Sequence, residues 1–172
     1  MPDLEERDRW LALARCWLTL FVAGLVLSGL TALPLERETS LLMQVAGPGT
    51  RSGVRWPDLA SWLALVSHGV RETGRRFPFL FYGTDWLAFA HFAIAVAFVG
   101  PWRDPVRNVW VVDFGLIACG LVVPFALVAG AVRGIPLYWR LIDCGFGVIG
   151  CVPLLVCRRL IAQLDGARPE RH

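Results

Sequence analysis

The sequence predicts an all-α integral membrane protein: a four-helix transmembrane bundle with one amphipathic interfacial helix in its long first loop. Two observations carry this prediction. Hydrophobic residues make up 56% of the 172-residue chain, with a mean hydropathy of +0.55, whereas apolar residues make up roughly half of a soluble domain. These residues also gather in four long runs, each close to the roughly 20 residues that a helix needs to cross the hydrocarbon core.

The four predicted spans follow one another in a single domain that covers residues 1–172. Their approximate limits are 10–33, 79–100, 109–130 and 137–157. The first run is longer than a typical signal-peptide h-region and lacks an A-x-A cleavage site, so we interpret it as a retained anchor. Thr84 is expected to cap the second span. Arg158 and Arg159 are expected to end the fourth, followed by a frayed polar tail from about Gln163 to His172.

A mixed, largely polar segment separates the first two spans. Pro57 is placed to open a helix at its first turn. Apolar residues then recur at helical spacing, at Leu59, Trp62, Leu63, Val66 and Val70. The segment 57–71 is too short to span a bilayer, and its amphipathic pattern favours a helix in the membrane interface or over the mouth of the bundle.

The basic residues predict orientation and compartment. All 17 are arginine, which is typical of a GC-rich, bacterial genome. With the N-terminus inside, the inner segments carry nine arginines, and the outer segments carry seven on a longer stretch of chain. The positive-inside rule therefore places both termini in the cytoplasm, and the protein in the bacterial inner membrane. The charges are too scattered to form a nucleic-acid-binding face, so no nucleic-acid partner is expected.

Ionisable residues inside a span are costly, and they usually pair with one another or mark a functional path. Arg140 and Asp143 share a helix face at i, i+3, and Asp85 is expected at a similar depth near the outer end of the bundle. This cluster is either an anion- or headgroup-binding site or a structural ion pair. The candidate ligand-binding residues are Tyr82, Asp85, His91, Arg133, Arg140 and Asp143.

His91 lies close to the midplane of the second span. It is either a neutral side chain bonded to a neighbouring helix, or a proton carrier or hydrogen-bond partner of a quinone or lipid. Haem is not expected, because only His68 and His172 remain as second axial ligands.

Other patterns predict structure rather than chemistry. Asp113 is expected to pair with Arg103, Arg107 or Asn108. Small residues at four-residue spacing indicate close helix packing, in a compact bundle or an oligomer, at Gly24/Ser28, Gly115/Cys119, Ala126/Gly130 and Gly147/Cys151. The five cysteines show no zinc-binding spacing, so no metal and no cofactor is predicted. No catalytic signature such as a P-loop, GxSxG or HExxH occurs.

Three segments of the second half, FYGTDWLAFAHF, PWRDPVRN and RGIPLYWRLIDCGFG, resemble those of a group of small bacterial membrane proteins with four spans and no assigned function. The resemblance covers roughly Phe79 to Gly150, and it implies that the second half is the defining module. It implies no catalytic residue, because the group has no assigned activity.

Three functions remain open at this point. The first is an accessory or assembly subunit of a membrane complex, with membrane lipids around it and either other membrane proteins or further copies of the chain as partners. The second is a lipid- or quinone-binding protein or enzyme that uses the polar cluster. The third is a small proton-linked carrier.

Overall fold

A computed structural model describes residues 4–166, and every element in that range is a helix. Four helical segments are long and apolar enough to cross a membrane: Glu5–Ala32, Pro78–Arg103, Val109–Val132 and Leu137–Gly166. The prediction of an all-α chain with four candidate membrane spans is therefore confirmed by length and composition.

The first and last spans belong to helices that extend beyond their apolar runs. Helix α1 covers Leu4–Ala32 and helix α8 covers Leu137–Gly166. Arg158 and Arg159 were expected to end the fourth helix, and the tail from Gln163 was expected to be frayed. Both expectations are wrong for the residues up to Gly166, because α8 continues to that point. The reason is that arginine, leucine, alanine and glutamine are strong helix formers, so the helix continues after the apolar run stops. The rest of the predicted tail, 167–172, lies outside the described residues.

The second span is built from three consecutive helical pieces. They are a 3₁₀ turn at Pro78–Phe81, helix α5 at Tyr82–Ala97 and helix α6 at Val99–Arg103. The predicted N-cap at Thr84 is wrong, because helical backbone has already begun before it. The Thr84 hydroxyl instead donates to the carbonyl of Phe81 at 2.7 Å, as threonines inside helices do. Helix α7 follows at Val109–Val132.

The segment between the first two spans contains three helices, where the sequence pattern predicted one. They are α2 (Leu35–Ala46), α3 (Arg51–Arg55) and α4 (Pro57–Arg76). Pro57 opens α4 as predicted, and α4 continues past its expected end at residue 71. Thr50 caps the N-terminus of α3, because its hydroxyl accepts the Gly53 N–H at 2.9 Å.

Contacts divide the described chain into two compact units. One is Leu25–Ala93, and the other combines the chain up to Gly24 with the chain from Ile94 onward. Within Leu25–Ala93, α2 packs against α4, and the side chains buried on these two helices are Thr39, Ala60, Leu63 and Ser67. The single domain predicted for residues 1–172 stays a prediction.

In the other unit, α7 and α8 form the most extensive helix–helix contact. A Cβ added at Gly147 of α8 would lie 2.5 Å from the carbonyl oxygen of Cys119 in α7, so only glycine permits this approach. A Cβ at Gly115 of α7 would meet Phe98 and Leu154 side chains, each at 2.8 Å. The close packing predicted at Gly115/Cys119 and Gly147/Cys151 is therefore made within the chain, whereas a Cβ at Gly24 would meet nothing within 4 Å.

Candidate functional site

One charged pair joins two candidate spans, between Asp113 of α7 and Arg158 of α8. The Nε of Arg158 donates to Oδ1 of Asp113 at 2.7 Å, and the side chains of Arg158 and Asp113 are 41% and 43% exposed. Each charge is costly in an apolar helix and less costly when paired. The pair therefore ties the beginning of α7 to the C-terminal half of α8.

The partners predicted for Asp113, which were Arg103, Arg107 or Asn108, are wrong. The Asn108 side-chain amide donates to the Asp104 carbonyl at 3.0 Å, and the Arg107 N–H donates to Oδ1 of Asp104 at 3.1 Å. These groups build the tight connection that precedes α7. Asp113 lies one turn inside α7, where its nearest opposite charge comes from α8.

Arg140 of α8 bonds to backbone rather than to Asp143. Its Nη1 donates to the carbonyl of Leu127 in α7 at 3.1 Å, and its buried Nε has no hydrogen-bond partner in the described part of the chain. A Cβ at Gly130 would lie 2.5 Å from the Arg140 Cδ, so this glycine makes room for the arginine stem. Between residues 4 and 166 no ion pair forms between Arg140 and Asp143, which is partly buried.

His91 of α5 bonds to its own helix and to α1. Its Nδ1 lies 2.8 Å from the carbonyl of Leu87, and its Nε2 lies 3.4 Å from Oγ of Ser28. A carbonyl can only accept, so Nδ1 carries a hydrogen and donates it to Leu87, which leaves Nε2 facing the serine hydroxyl. A Cβ at Gly29 would lie 3.1 Å from the His91 Cβ and 2.9 Å from the Phe92 ring, so this glycine permits the close approach of the two helices.

Arg15 of the first span is also held by neighbours. Its Nε donates to the Trp102 carbonyl at 3.1 Å, and its guanidinium carbon lies 5.2 Å from the centroid of the Trp102 ring, which is cation–π distance. The Trp102 indole N–H donates to the Thr19 hydroxyl at 3.3 Å. These contacts join α1 to α6.

A shallow open depression of about 250 Å³ lies on α5, and it is lined by Tyr82, Asp85, Trp86 and Phe89. The ring centroids of Tyr82 and Trp86 are 6.0 Å apart and edge-to-face, and those of Trp86 and Phe89 are 5.5 Å apart in the same geometry. No hydrogen bond or ion pair to the Asp85 carboxylate is formed among residues 4–166. The depression therefore presents a free carboxylate beside three aromatic rings.

The structure brings together part of the predicted site. Tyr82 and Asp85 line the same depression, which His91 does not line. Arg140 and Asp143 belong to the other unit, as does Arg133 in the turn after α7. As ligand-binding residues, all six stay predictions. In the described range no group of three or more His, Cys, Asp and Glu side chains is arranged to hold a metal ion.

Sequence reasoning missed two partners. Ser28 was considered only for its small size, so its hydroxyl was not connected to His91. Arg158 looks like a residue that ends a helix, because Arg158 and Arg159 directly follow an apolar run. Its i+1 neighbour Arg159 is exposed, and only the packing of α7 on α8 distinguishes the two.

Comparison of the chain with protein-family models, with curated proteins and with solved structures gave no match.

Proposed function

We propose that this chain is a non-enzymatic accessory or assembly subunit of a membrane protein complex. One observation supports this proposal most: four polar side chains within the spans are bonded to neighbours in the same chain. They are Arg15 to Trp102, His91 to Ser28, Asp113 to Arg158 and Arg140 to Leu127. Polar groups that bond helices to one another stabilise a fold in lipid. Side chains used in this way favour a structural role over proton transfer.

We further propose that the four spans form a four-helix bundle in the bacterial inner membrane, with both termini in the cytoplasm. The all-arginine basic composition and the density of arginines support this placement. Helix α4 is proposed to lie in the interface. Its Leu65 is 61% exposed on a helix that ends in Arg75 and Arg76, and such a helix suits an anionic lipid surface.

The proposed function is tested by native mass spectrometry of the protein, extracted from its own membranes in a mild detergent. The expected result is a complex in which the 19.1 kDa chain is joined in fixed stoichiometry by a second polypeptide, which peptide sequencing then identifies. Removal of the chain from cells should lower the amount of that partner's assembled complex on native gels, and re-expression should restore it.

Two outcomes would count against an accessory subunit. One is a bare chain whose removal leaves the cell's membrane complexes unchanged. The other is a reproducible small-molecule adduct that His91→Ala removes while folded protein stays in the membrane, which would indicate a lipid or quinone site instead.

A further inference from the structure

The depression on α5 combines a free carboxylate with exposed aromatic surface. Tyr82, Trp86 and Phe89 are 63%, 55% and 58% exposed, and Asp85 is exposed between them along the helix. The edge-to-face contacts from Tyr82 to Trp86 and from Trp86 to Phe89 hold the rings in place against one another. The three rings therefore pack against one another and leave the Asp85 side chain exposed.

We propose that this depression binds the ammonium headgroup of a zwitterionic phospholipid, such as phosphatidylethanolamine. A cation is attracted by the faces of aromatic rings, and a carboxylate forms strong, charge-assisted hydrogen bonds with an N–H donor. Both features attract positive charge, and the Asp85 carboxylate repels a lone phosphate. The chemistry therefore selects an amine-bearing headgroup over an anionic one.

The position of the depression along the span suits a headgroup. The candidate span Pro78–Arg103 has 26 residues, several more than the roughly 20 that the hydrocarbon core requires. Asp85 lies about 10 Å along the helix from Pro78, at about 1.5 Å per residue. An excess of about six residues at this end would carry the beginning of the span into the headgroup layer and leave Asp85 within one helical turn of it.

Two ordinary explanations apply to the same residues. Aromatic rings anchor spans at membrane interfaces, and an acidic residue in the first turn of a helix complements its dipole. Neither explanation predicts that the protein distinguishes one lipid headgroup from another. Headgroup selectivity is therefore the measurement that separates the proposal from both.

The test is native mass spectrometry of the full chain in detergent, titrated with phosphatidylethanolamine or phosphatidylglycerol of matched acyl chains. The wild type should retain phosphatidylethanolamine about tenfold more strongly, the order expected of one charge-assisted hydrogen bond. Asp85→Asn and Trp86→Leu should each remove that preference. Asp165→Asn and Phe125→Leu are the matched controls, because they change an exposed acid and an exposed ring elsewhere, and they should leave the preference intact.

A soluble probe distinguishes the ammonium group from the rest of the lipid. Ethylammonium chloride, whose cation carries N–H donors, should displace the bound phosphatidylethanolamine more effectively than sodium chloride at the same ionic strength. If Asp85→Asn does not fold, Asp85→Glu, which keeps the charge, should keep the preference while Trp86→Leu loses it.

Equal retention of the two lipids by the wild type would overturn the proposal. So would a preference that survives Trp86→Leu and Asp85→Asn, or displacement no better than that by sodium chloride. These results do not depend on whether the chain has a protein partner, so the accessory-subunit proposal stands or falls separately.

Discussion

At the scale of single residues, the Asp113–Arg158 pair shows how two costly groups become a structural contact. Either charge alone in an apolar helix would have to be solvated by lipid headgroups or water. Paired at 2.7 Å, each lowers the cost of the other. Because both side chains are roughly 40% exposed, the cost of separating them lies below that of a fully buried pair.

We expect Asp113→Asn and Arg158→Gln each to lower the free energy of unfolding by about 2 kcal/mol, less than the roughly 3–5 kcal/mol of a fully buried pair. The double variant should lose less than the sum of the two, because the second change removes a charge that the first left unpaired. Chemical unfolding in detergent micelles measures all three. Arg159→Gln, next along the helix, should change little, and strict additivity of the two losses would contradict the pairing.

Glu38 on α2 gives a pH dependence outside the spans. Burial raises the pKa of its carboxyl above the ordinary value of 4.5. The folded state therefore binds this proton more tightly than the unfolded state, so this residue's contribution to stability falls as pH rises through the interval between the two pKa values. Above that interval the cost of the buried charge is constant.

Glu38→Gln should therefore make the protein slightly more stable than the wild type at pH 7, and the difference should shrink towards pH 4. Unfolding of both proteins across this pH range measures the difference directly. A constant difference over the whole range would show that the carboxyl is not destabilised by its burial on α2.

At the scale of elements, glycines fix how closely helices approach. A Cβ at Gly147 would lie 2.5 Å from a backbone oxygen of α7 and 3.1 Å from the Cβ of Val122, whereas a Cβ at Gly145 would meet nothing within 4 Å. A backbone oxygen cannot rotate away, so added volume at Gly147 has to push α7 and α8 apart.

Substitution by alanine should therefore destabilise the protein at Gly147 but not at Gly145. Gly147→Ala should lower the free energy of unfolding by about 1–3 kcal/mol, as overpacking does. Gly145→Ala should leave it unchanged or raise it by up to about 1 kcal/mol, because alanine favours helix over glycine. Thermal and chemical unfolding of the two variants in the same detergent provide the comparison, and equal effects would mean that α7 and α8 do not pack at Gly147.

Helix α2 shows why part of the fold could not be predicted from the sequence. Its buried residue is Thr39, whereas Leu41 and Val45 are 62% and 67% exposed. An amphipathic pattern predicts a helix only where apolar residues form its buried face, so it does not predict a helix whose buried residue is a threonine. The same limit applies to the site: the charge of Asp113 is visible in an apolar run, but its partner Arg158 depends on the register between two helices, which no local pattern contains.

At the scale of the whole molecule, the number of spans was predictable because lipid imposes a length on every helix that crosses it. The four apolar runs met that length, and each of the four candidate spans overlaps one of them. The arrangement of the helices could not be predicted in this way, because in lipid it depends on close contacts and interhelical hydrogen bonds rather than on hydrophobicity. Residues such as Gly29, Gly147 and Ser28 carry that information, and their sequence context does not reveal which helix they meet.

The arginine distribution makes the orientation of the whole chain testable. Four crossings would place both termini on one side, and the higher arginine density of the proposed inner segments predicts that this side is the cytoplasm. Reporter fusions after Gly49, Asp104, Gly134 and the C-terminus sample the successive connections. Alkaline phosphatase should be active after Gly49 and Gly134, and a fluorescent protein should fold after Asp104 and at the C-terminus. The inverse pattern would show the opposite orientation. A pattern that does not alternate would contradict four crossings, because each crossing has to change the side of the membrane on which the next connection lies.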